Sequence, residues 1–252
     1  MKTPQFDAIL ACRLNGTRLY GKPLQLIDIE KQKTILEYCV EYIKKSKHVR
    51  NICLAISDEV ENRAFVPVAE KHGWKVSFGH PQDVLGRILG ATKDLGTTHV
   101  LRVTSECPFV YFEGIDSLYE THLEKGLDYS SIEKLPEGSG FEIISTSALE
   151  RSHANGTARN RSELVTSYIF EHQNEFKIHR PSPAESLQRS EVRITVDYPE
   201  DLIFCRKIYK MLNGEKGLIP IEKIIQFWDS HPAIRKDVET VGIDWGTGRI
   251  WT

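Results

Sequence analysis

The 252-residue chain has the composition of an ordinary globular protein, with 40% hydrophobic and 27% charged residues. Its 33 basic and 35 acidic residues give a formal net charge of −2, which argues against a protein that binds a nucleic-acid backbone or an anionic membrane surface. Five widely separated cysteines form no C-x-x-C pair, and no apolar run approaches the roughly 20 residues of a membrane span. We therefore expect a cytoplasmic protein with reduced thiols, no nucleic-acid partner and no membrane segment.

The first half alternates short apolar runs with amphipathic segments. A helix with an apolar stripe from Ile35 to Ile43 opens with Thr34 and Glu37, the spacing of a capping box. The pattern further predicts strands at 7–12, 51–56 and 98–104, and helices at 58–72 (kinked or split by Pro67, ended by Gly73) and 83–95 (ended by Gly96). Such alternation indicates a largely parallel sheet with helices on both faces and ligands bound beyond the carboxyl ends of the strands.

The second half is less regular. We predict strands at 141–145 and 191–196, helices at 161–172, 199–213 (stopped by Gly214) and 219–230, and a mobile loop at 180–189. The tail with Trp245 and Trp251 is expected to pack across the domain.

A cationic, glycine-containing loop follows the first predicted strand. Within ten residues it holds three cations and two glycines: Arg13, Gly16, Arg18, Gly21 and Lys22. Glycines allow backbone amides to approach an anion closely, and the cations can neutralise a polyphosphate. The spacing matches neither a Walker A loop nor a Rossmann fingerprint. The loop is therefore either a polyphosphate site or an exposed basic turn.

This loop resembles the signature of the cytidylyltransferases of spore-coat polysaccharide synthesis and of the related CMP-3-deoxy-manno-octulosonate synthetases, Arg-x-x-Ser-Thr-Arg-Leu-Pro-Gly-Lys-x-Leu. Gly16 stands where Ser is usual, and Tyr20 replaces Pro. Further segments similar to the family's motifs follow in the same order: 83–87, 101–108, 136–138 with Glu142, and 193–202. The resemblance covers residues 8 to about 210.

The resemblance implies a single domain of Rossmann-like, GT-A-type α/β/α architecture, with a mostly parallel sheet and a smaller irregular subregion. Residues 1–132 would form the nucleotide-binding part, 133–190 the acceptor region and a possible dimer arm, and 191–252 the return strand, helices and tail. A homodimer is expected.

The implied reaction transfers CMP from CTP to a small anionic acceptor and releases pyrophosphate with the help of Mg²⁺. Its transition state is anionic, so positioning, cations and metal supply most of the catalysis. Glu106 and Asp197 each follow a β-rich run and match positions that are metal-binding aspartates in the family. Alternatively, Asp197 caps the helix that begins near Pro199, and Glu106 is a solvated loop carboxylate.

The other candidate residues fall into two groups. Arg13 and Lys22 are assigned to the triphosphate as catalytic residues, and the further nucleotide-binding candidates are Asn15, Gly16, Thr17, Arg18, Ser57 and Arg87. Arg18 alternatively pairs structurally with an acid, Ser57 alternatively caps a helix, and Arg87 is alternatively a surface arginine. The acceptor candidates are Glu142, His153, Arg159, Arg161 and Glu163. The arginine pair would clamp a carboxylate or phosphate, or else belongs to a solvated loop.

An acidic sugar is the leading acceptor class, and a phosphorylated or phosphonate-bearing molecule is the alternative. The rival functions are a nucleotidyltransferase that uses UTP or GTP and a catalytically silent nucleotide-binding protein. No HxH, HExxH or GxSxG pattern occurs, so neither a catalytic zinc nor a serine nucleophile is indicated.

Overall fold

The computed structural model describes residues 4–239, and Trp245 and Trp251 lie outside that range. A seven-stranded sheet with the order β5-β4-β1-β6-β8-β7-β9 forms its centre. Strands β5, β4, β1 and β6 run parallel, whereas β8 is antiparallel to both of its neighbours. The strands are β1 Phe6–Cys12, β4 Val49–Ser57, β5 Lys75–Gly79, β6 His99–Arg102, β7 Tyr129–Ser131, β8 Glu142–Ser145 and β9 Ile178–His179, with β2 Leu26–Asp28 and β3 Lys33–Thr34 in a separate hairpin. The mostly parallel α/β sheet is as predicted.

Helices cover both faces of this sheet. They are α1 Ile35–Ile43, α2 Phe65–His72, α3 Val84–Leu95, α4 Ile115–Glu124, α5 Thr146–Asn155, α6 Ala158–Arg161, α7 Ser167–Glu171, α8 Pro199–Met211, α9 Ile221–Ser230 and α10 Pro232–Glu239. Alternate residues of β1 face opposite layers: Leu10 packs with the core of α1, α4, α8 and α9, and Ile9 with the core of α3, α5 and α7. The molecule is therefore a three-layer α/β/α structure. None of the helices in the described part of the chain has the length and apolarity needed to cross a bilayer.

The parallel register brings functional segments to one edge of the sheet. Cys12 of β1 lies opposite Ile56 of β4, and Ile9 lies opposite Arg102 of β6, so the loops that follow these strands leave on the same side. The helix starts near this edge are fixed locally. Thr34 and Glu37 form the predicted capping box of α1, and Asp83 accepts a hydrogen bond from the amide of Gly86 at 2.6 Å to begin α3.

Several predicted elements differ from the structure. Residues 191–196 are not a strand, because this buried extended segment pairs through a single bridge, Arg193 with Glu137. The helix predicted at 161–172 is wrong: α6 and α7 are separate because the Ser162 hydroxyl donates to the carbonyl of Arg159 at 2.6 Å and turns the chain. Helix α8 ends at Met211, and the left-handed residue after it is Asn213 (φ 55°), not Gly214.

The segment 58–72 splits into a 3₁₀ turn at Val60–Ala64 followed by α2, and Pro67 sits in the first turn of α2. Gly73 (φ 68°) and Gly96 (φ 60°) end their helices in the left-handed conformation, as predicted. The segment 180–189 contains one 3₁₀ turn, Glu185–Leu187, and no longer element.

Candidate active site

The loop between β1 and β2 is closed on itself. The amide of Gly21 donates to the carbonyl of Leu14 at 2.8 Å, and the amide of Leu14 donates to the side-chain carbonyl of buried Asn62 at 2.7 Å. A Cβ on Gly16 would lie 2.5 Å from the carbonyl oxygen of Leu19, so this turn requires glycine. The loop is thus a fixed platform that carries exposed Arg13, Arg18 and half-buried Lys22 beyond the end of β1.

Three cations of the site converge on one carboxylate, that of Asp197. Lys22 Nζ lies 2.6 Å and Arg18 Nη2 3.0 Å from Asp197 Oδ1, and Arg193 Nη2 lies 2.9 Å from Oδ2. Burial raises the pKa of Asp197, but the hydrogen bond from Lys22 and the charges of Lys22, Arg18 and Arg193 outweigh it, and the net shift is downward. Asp197 is therefore held ionised by the three cations that contact it.

Arg193 links Asp197 to two further carboxylates. This buried guanidinium also donates to Asp201 at 2.9 and 3.0 Å and to Glu137 at 2.8 Å. The Asp201 carboxylate in turn accepts hydrogen bonds from the backbone amides of Asp197 and Tyr198, both at 2.9 Å. The N-cap residue of α8 is Tyr198. The alternative that Asp197 caps this helix is therefore wrong.

Glu106 lies beside the segment that ends in Asp197, because the amide of Val196 donates to the carbonyl of Glu106 at 3.3 Å. The Glu106 side chain is half-buried and accepts a hydrogen bond from Ser105 at 3.2 Å. Within residues 4–239 no cation forms an ion pair with Glu106, and no group of three His, Cys, Asp or Glu side chains could hold a metal ion. The donor set fits Mg²⁺ bound by one or two carboxylates and by phosphate oxygens of a nucleotide.

Arg87 is buried near the loop, with 3% of its surface exposed. Its Nη1 donates to the carbonyls of His80 (3.1 Å) and Pro81 (2.8 Å), while its Nε has no hydrogen-bond partner among the described residues. Burial is the main cause of the lowered pKa of this guanidinium. The alternative that Arg87 is a surface arginine is wrong.

The remaining nucleotide-side candidates are spread around the loop. Ser57 is buried and donates to Glu59 at 2.8 Å, and the Asn15 amide donates to Glu61 at 2.7 Å. Thr17 is exposed at the tip of the loop. These contacts hold the loop against the turn after β4.

A cavity of about 670 Å³ opens beside this cluster, at the ends of β6, β7 and β8. At its wall, Glu142 forms an ion pair with Arg102 and accepts hydrogen bonds from the hydroxyls of Tyr129 at 2.9 Å and Thr166 at 3.0 Å. Burial raises the pKa of Tyr129, and the charge of Glu142 adds to that effect. Two contacts join the cavity to the cluster around Asp197 and to the cationic loop of residues 13–22, here named the phosphate loop. The wall residue Glu163 pairs with Arg13 of this loop at 2.9 Å, and the wall residue Glu137 shares Arg193 with Asp197.

The predicted acceptor residues divide between the cavity and the surface outside it. Glu142 and Glu163 line the cavity, whereas Arg159 and Arg161 are absent from its described wall. Arg161 donates through Nε and Nη2 to the carbonyl of His153 at 3.1 and 2.8 Å and so stabilises the fold. This arrangement does not form the arginine clamp that the sequence suggested.

The two other side chains near this clamp also have partners in the fold. Arg159 lies 3.8 Å from Glu171 on the exposed surface. The ring of His153 lies 2.7 Å from Asp83, at the start of α3. Both contacts lie outside the cavity wall.

Four basic residues of the site were missed from the sequence: Arg102, Lys134, Arg180 and Arg193. Arg102 and Arg193 lie in the family-like segments 101–108 and 193–202, each four residues before a predicted metal-binding carboxylate, and this spacing could have identified them. Lys134 and Arg180 carried no local signal, because the fold brings them together from separate segments.

The chain is similar to known proteins over most of its length. A family model described as "Cytidylyltransferase" matches residues 8–227. The chain is 32% identical over 229 residues to an uncharacterized protein of Methanocaldococcus jannaschii (90% of this chain, 91% of the relative). It is 25% identical over 229 residues to the spore coat polysaccharide biosynthesis protein SpsF of Bacillus subtilis (89% and 94%).

Solved structures share the fold. A cytidylyltransferase from Leptospira borgpetersenii superposes with a TM-score of 0.79 at 22% identity, over 91% of this chain and 96% of that one. A CMP:2-keto-3-deoxy-manno-octonic acid synthetase complexed with CTP superposes with a TM-score of 0.62 at 11% identity, over 83% and 100%.

The family match, on a mostly parallel sheet with a cationic glycine loop after its first strand, identifies a nucleotidyltransferase. Because the family model covers most of its length, the chain belongs to the cytidylyltransferase family.

Proposed function

We propose that this protein transfers CMP from CTP to a small anionic acceptor and releases pyrophosphate, with Mg²⁺ as cofactor. One observation carries the proposal: Lys22 and Arg18 share a single oxygen of Asp197, on a rigid loop at the carboxyl edge of the sheet. Neither Lys22 nor Arg18 has a carboxylate of its own among the described residues, so the oxyanions of a triphosphate offer each cation a further partner.

The reaction is a displacement at the α-phosphorus of CTP. An acceptor oxygen forms a new bond to that phosphorus, the bond from the phosphorus to the oxygen bridging to the β-phosphate breaks, and pyrophosphate leaves with that oxygen. In our proposal Lys22, Arg18 and Arg13 move from their carboxylate partners to phosphate oxygens. They lower the energy of the charge that develops on the leaving group.

Asp197 and Glu106 are the residues that would hold Mg²⁺ in this proposal. When bound, the ion would neutralise phosphate charge and orient the triphosphate. Glu106 has coordination capacity because its described side-chain partner is a hydroxyl. Asp197 gains that capacity when Lys22 and Arg18 transfer to the nucleotide, so we expect metal to bind tightly only together with CTP.

The cavity beside the cluster is the proposed acceptor site. Its volume of about 670 Å³ suits a small molecule, and hydroxyl and carboxylate groups near Glu142 suit a polyhydroxylated one. The similarity to a spore coat polysaccharide protein and to a synthetase named for a keto-deoxy sugar acid favours an acidic sugar. A phosphorylated or phosphonate-bearing acceptor is the alternative.

The test is a product assay. The purified protein is mixed with Mg²⁺, each of CTP, UTP, GTP and ATP in turn, and a pool of acidic sugars and of phosphorylated and phosphonate metabolites. Pyrophosphate release and product mass are followed. A CMP-linked product that disappears in Asp197→Ala is the expected result. A UMP- or GMP-linked product would overturn the choice of nucleotide, and absence of both CTP binding and pyrophosphate release would favour a silent nucleotide-fold protein.

We further propose that the enzyme is a cytoplasmic homodimer, in which the segment 133–190 contributes to the contact between subunits. Light scattering of the purified chain tests the assembly: a mass of twice 28.8 kDa is expected, and a monomer at assay concentration would contradict it.

A further inference from the structure

The charges on the cavity wall are almost completely paired. Each of its four carboxylates pairs with an arginine: Glu133 with Arg180 (3.1 Å), Glu142 with Arg102, Glu163 with Arg13 (2.9 Å), and Glu137 with Arg193 (2.8 Å), which it shares with Asp197 and Asp201. The two arginines of the wall itself, Arg102 and Arg180, are therefore already neutralised.

Lys134 is different. It also lines the cavity and is exposed. In the part of the chain that the structure describes, no hydrogen bond or ion pair involves its ammonium group. It is thus a cation of the cavity rim whose charge is free for a ligand.

The backbone of Lys134 is strained. Its φ of 58° lies in the left-handed region, which a lysine adopts at a cost that glycine would avoid. Both neighbours hold it there: the amide of Glu133 donates to the carbonyl of Pro181 at 3.1 Å, and the side chain of Leu135 is buried. The fixed backbone therefore holds the lysine side chain at the rim of the cavity.

We propose that Lys134 binds the anionic group of the acceptor at the rim of the cavity. The ligand is a small molecule that carries one oxyanion, a carboxylate or a phosphonate or phosphate, on a body that fits between the apolar side chains of Leu135 and Phe141. This inference rests on the proposed function, since it treats the cavity as the acceptor site. It replaces Arg159 and Arg161 as the source of selectivity for an anion.

Calorimetric titration with two probes, pyruvate and methylphosphonate, tests this assignment. The nucleotide site is filled with α,β-methylene-CTP, so that the probes do not bind the phosphate loop. Lys134→Gln and Lys134→Gly remove the charge, and Lys134→Arg keeps it. The matched control is Gln32→Gly, which relieves a similar left-handed strain (φ 51°) in the β2–β3 turn, away from the cavity.

We expect binding of at least one probe to weaken roughly tenfold or more in Lys134→Gln and Lys134→Gly, because a charged contact is lost. It should change little in Lys134→Arg and Gln32→Gly. Lys134→Gly should melt no lower than the wild type, which excludes misfolding. The probe that binds identifies the class, carboxylate or phosphonate.

Unchanged probe binding in Lys134→Gly, or no binding of either probe to the wild type, would overturn the inference. If the CTP analogue itself fails to bind, the proposed function fails. Titration of pyruvate without nucleotide then still decides whether Lys134 binds an anion.

Discussion

The phosphate loop and the neighbouring cavity use arginine and lysine in opposite ways. At the loop, Lys22, Arg18 and Arg193 share one carboxylate, that of Asp197. On the cavity wall, every carboxylate pairs with an arginine, and among the described wall residues Lys134 is the cation without an ion-pair partner. In the first arrangement two loop cations share one carboxylate oxygen, and in our proposal they are released to a polyphosphate. In the second, one lysine is left unpaired among the described wall residues, and in our proposal it binds a ligand with a single charge. The two regions therefore differ in how their charges are paired.

Arg193 joins the two regions, and its removal has the largest expected effect. Arg193→Met would leave buried Asp201, and with it Glu137 and Asp197, without their shared cation. We expect a loss of about 3–5 kcal/mol in the free energy of unfolding, measured by urea denaturation. Arg189→Met is the control: Arg189 also bridges two carboxylates, but near the surface, and should cost about 1 kcal/mol or less. Equal losses of unfolding free energy in the two variants would mean that the buried ion pairs of Arg193 do not stabilise the fold.

Lys22 is the most buried cation of the phosphate loop, with 12% of its side chain exposed against 47% for Arg18. Lys22→Met should weaken CTP binding roughly 10- to 100-fold, because a charge-assisted contact made away from bulk water is lost. Calorimetry with CTP and Mg²⁺ measures this. Lys47→Met, which alters an exposed pair with Glu120 near the start of β4, should bind CTP as the wild type does. Unimpaired CTP binding in Lys22→Met would show that the triphosphate does not contact Lys22.

The exposed pair between Arg13 and Glu163 spans both regions and should contribute least. Their side chains are 49% and 71% exposed, so Glu163→Gln should change stability by about 0–1 kcal/mol. Because Arg13 is then free for phosphate, CTP binding should strengthen slightly, most visibly at low salt. A salt series of CTP titrations checks this, and weaker binding would show that Glu163 positions Arg13 for the nucleotide.

The sequence predicted those parts of the fold that depend on local interactions. The capping box of α1 and the glycines that end α2 and α3 need only neighbours in the chain. The segment 191–196 has the alternation of a strand, but whether a second strand pairs with it depends on the fold, and it gains one bridge instead. The carboxylates and loop cations were identifiable by motif. Of their partners, Arg193 lies only four residues from Asp197 and was within reach of the motif, whereas Glu137 reaches Arg193 from 56 residues away.

The left-handed backbone of Lys134 could not be predicted either. A lysine gives no sign of positive φ, and the strain exists because the flanking residues are held by the fold. The sequence singled out the loop of residues 13–22, whereas Arg159 and Arg161, the predicted acceptor contacts, lie outside the described cavity wall and have partners in the fold.

The central claim is that the triphosphate takes Lys22 and Arg18 from Asp197. Titration of CTP in EDTA into the wild type and into Asp197→Asn tests it most directly, because asparagine keeps the shape and removes the competing charge. We predict that Asp197→Asn binds metal-free CTP roughly tenfold more tightly than the wild type and loses the gain that Mg²⁺ gives the wild type. Weaker metal-free binding in Asp197→Asn would contradict the exchange and show that Asp197 holds these cations in place for the nucleotide.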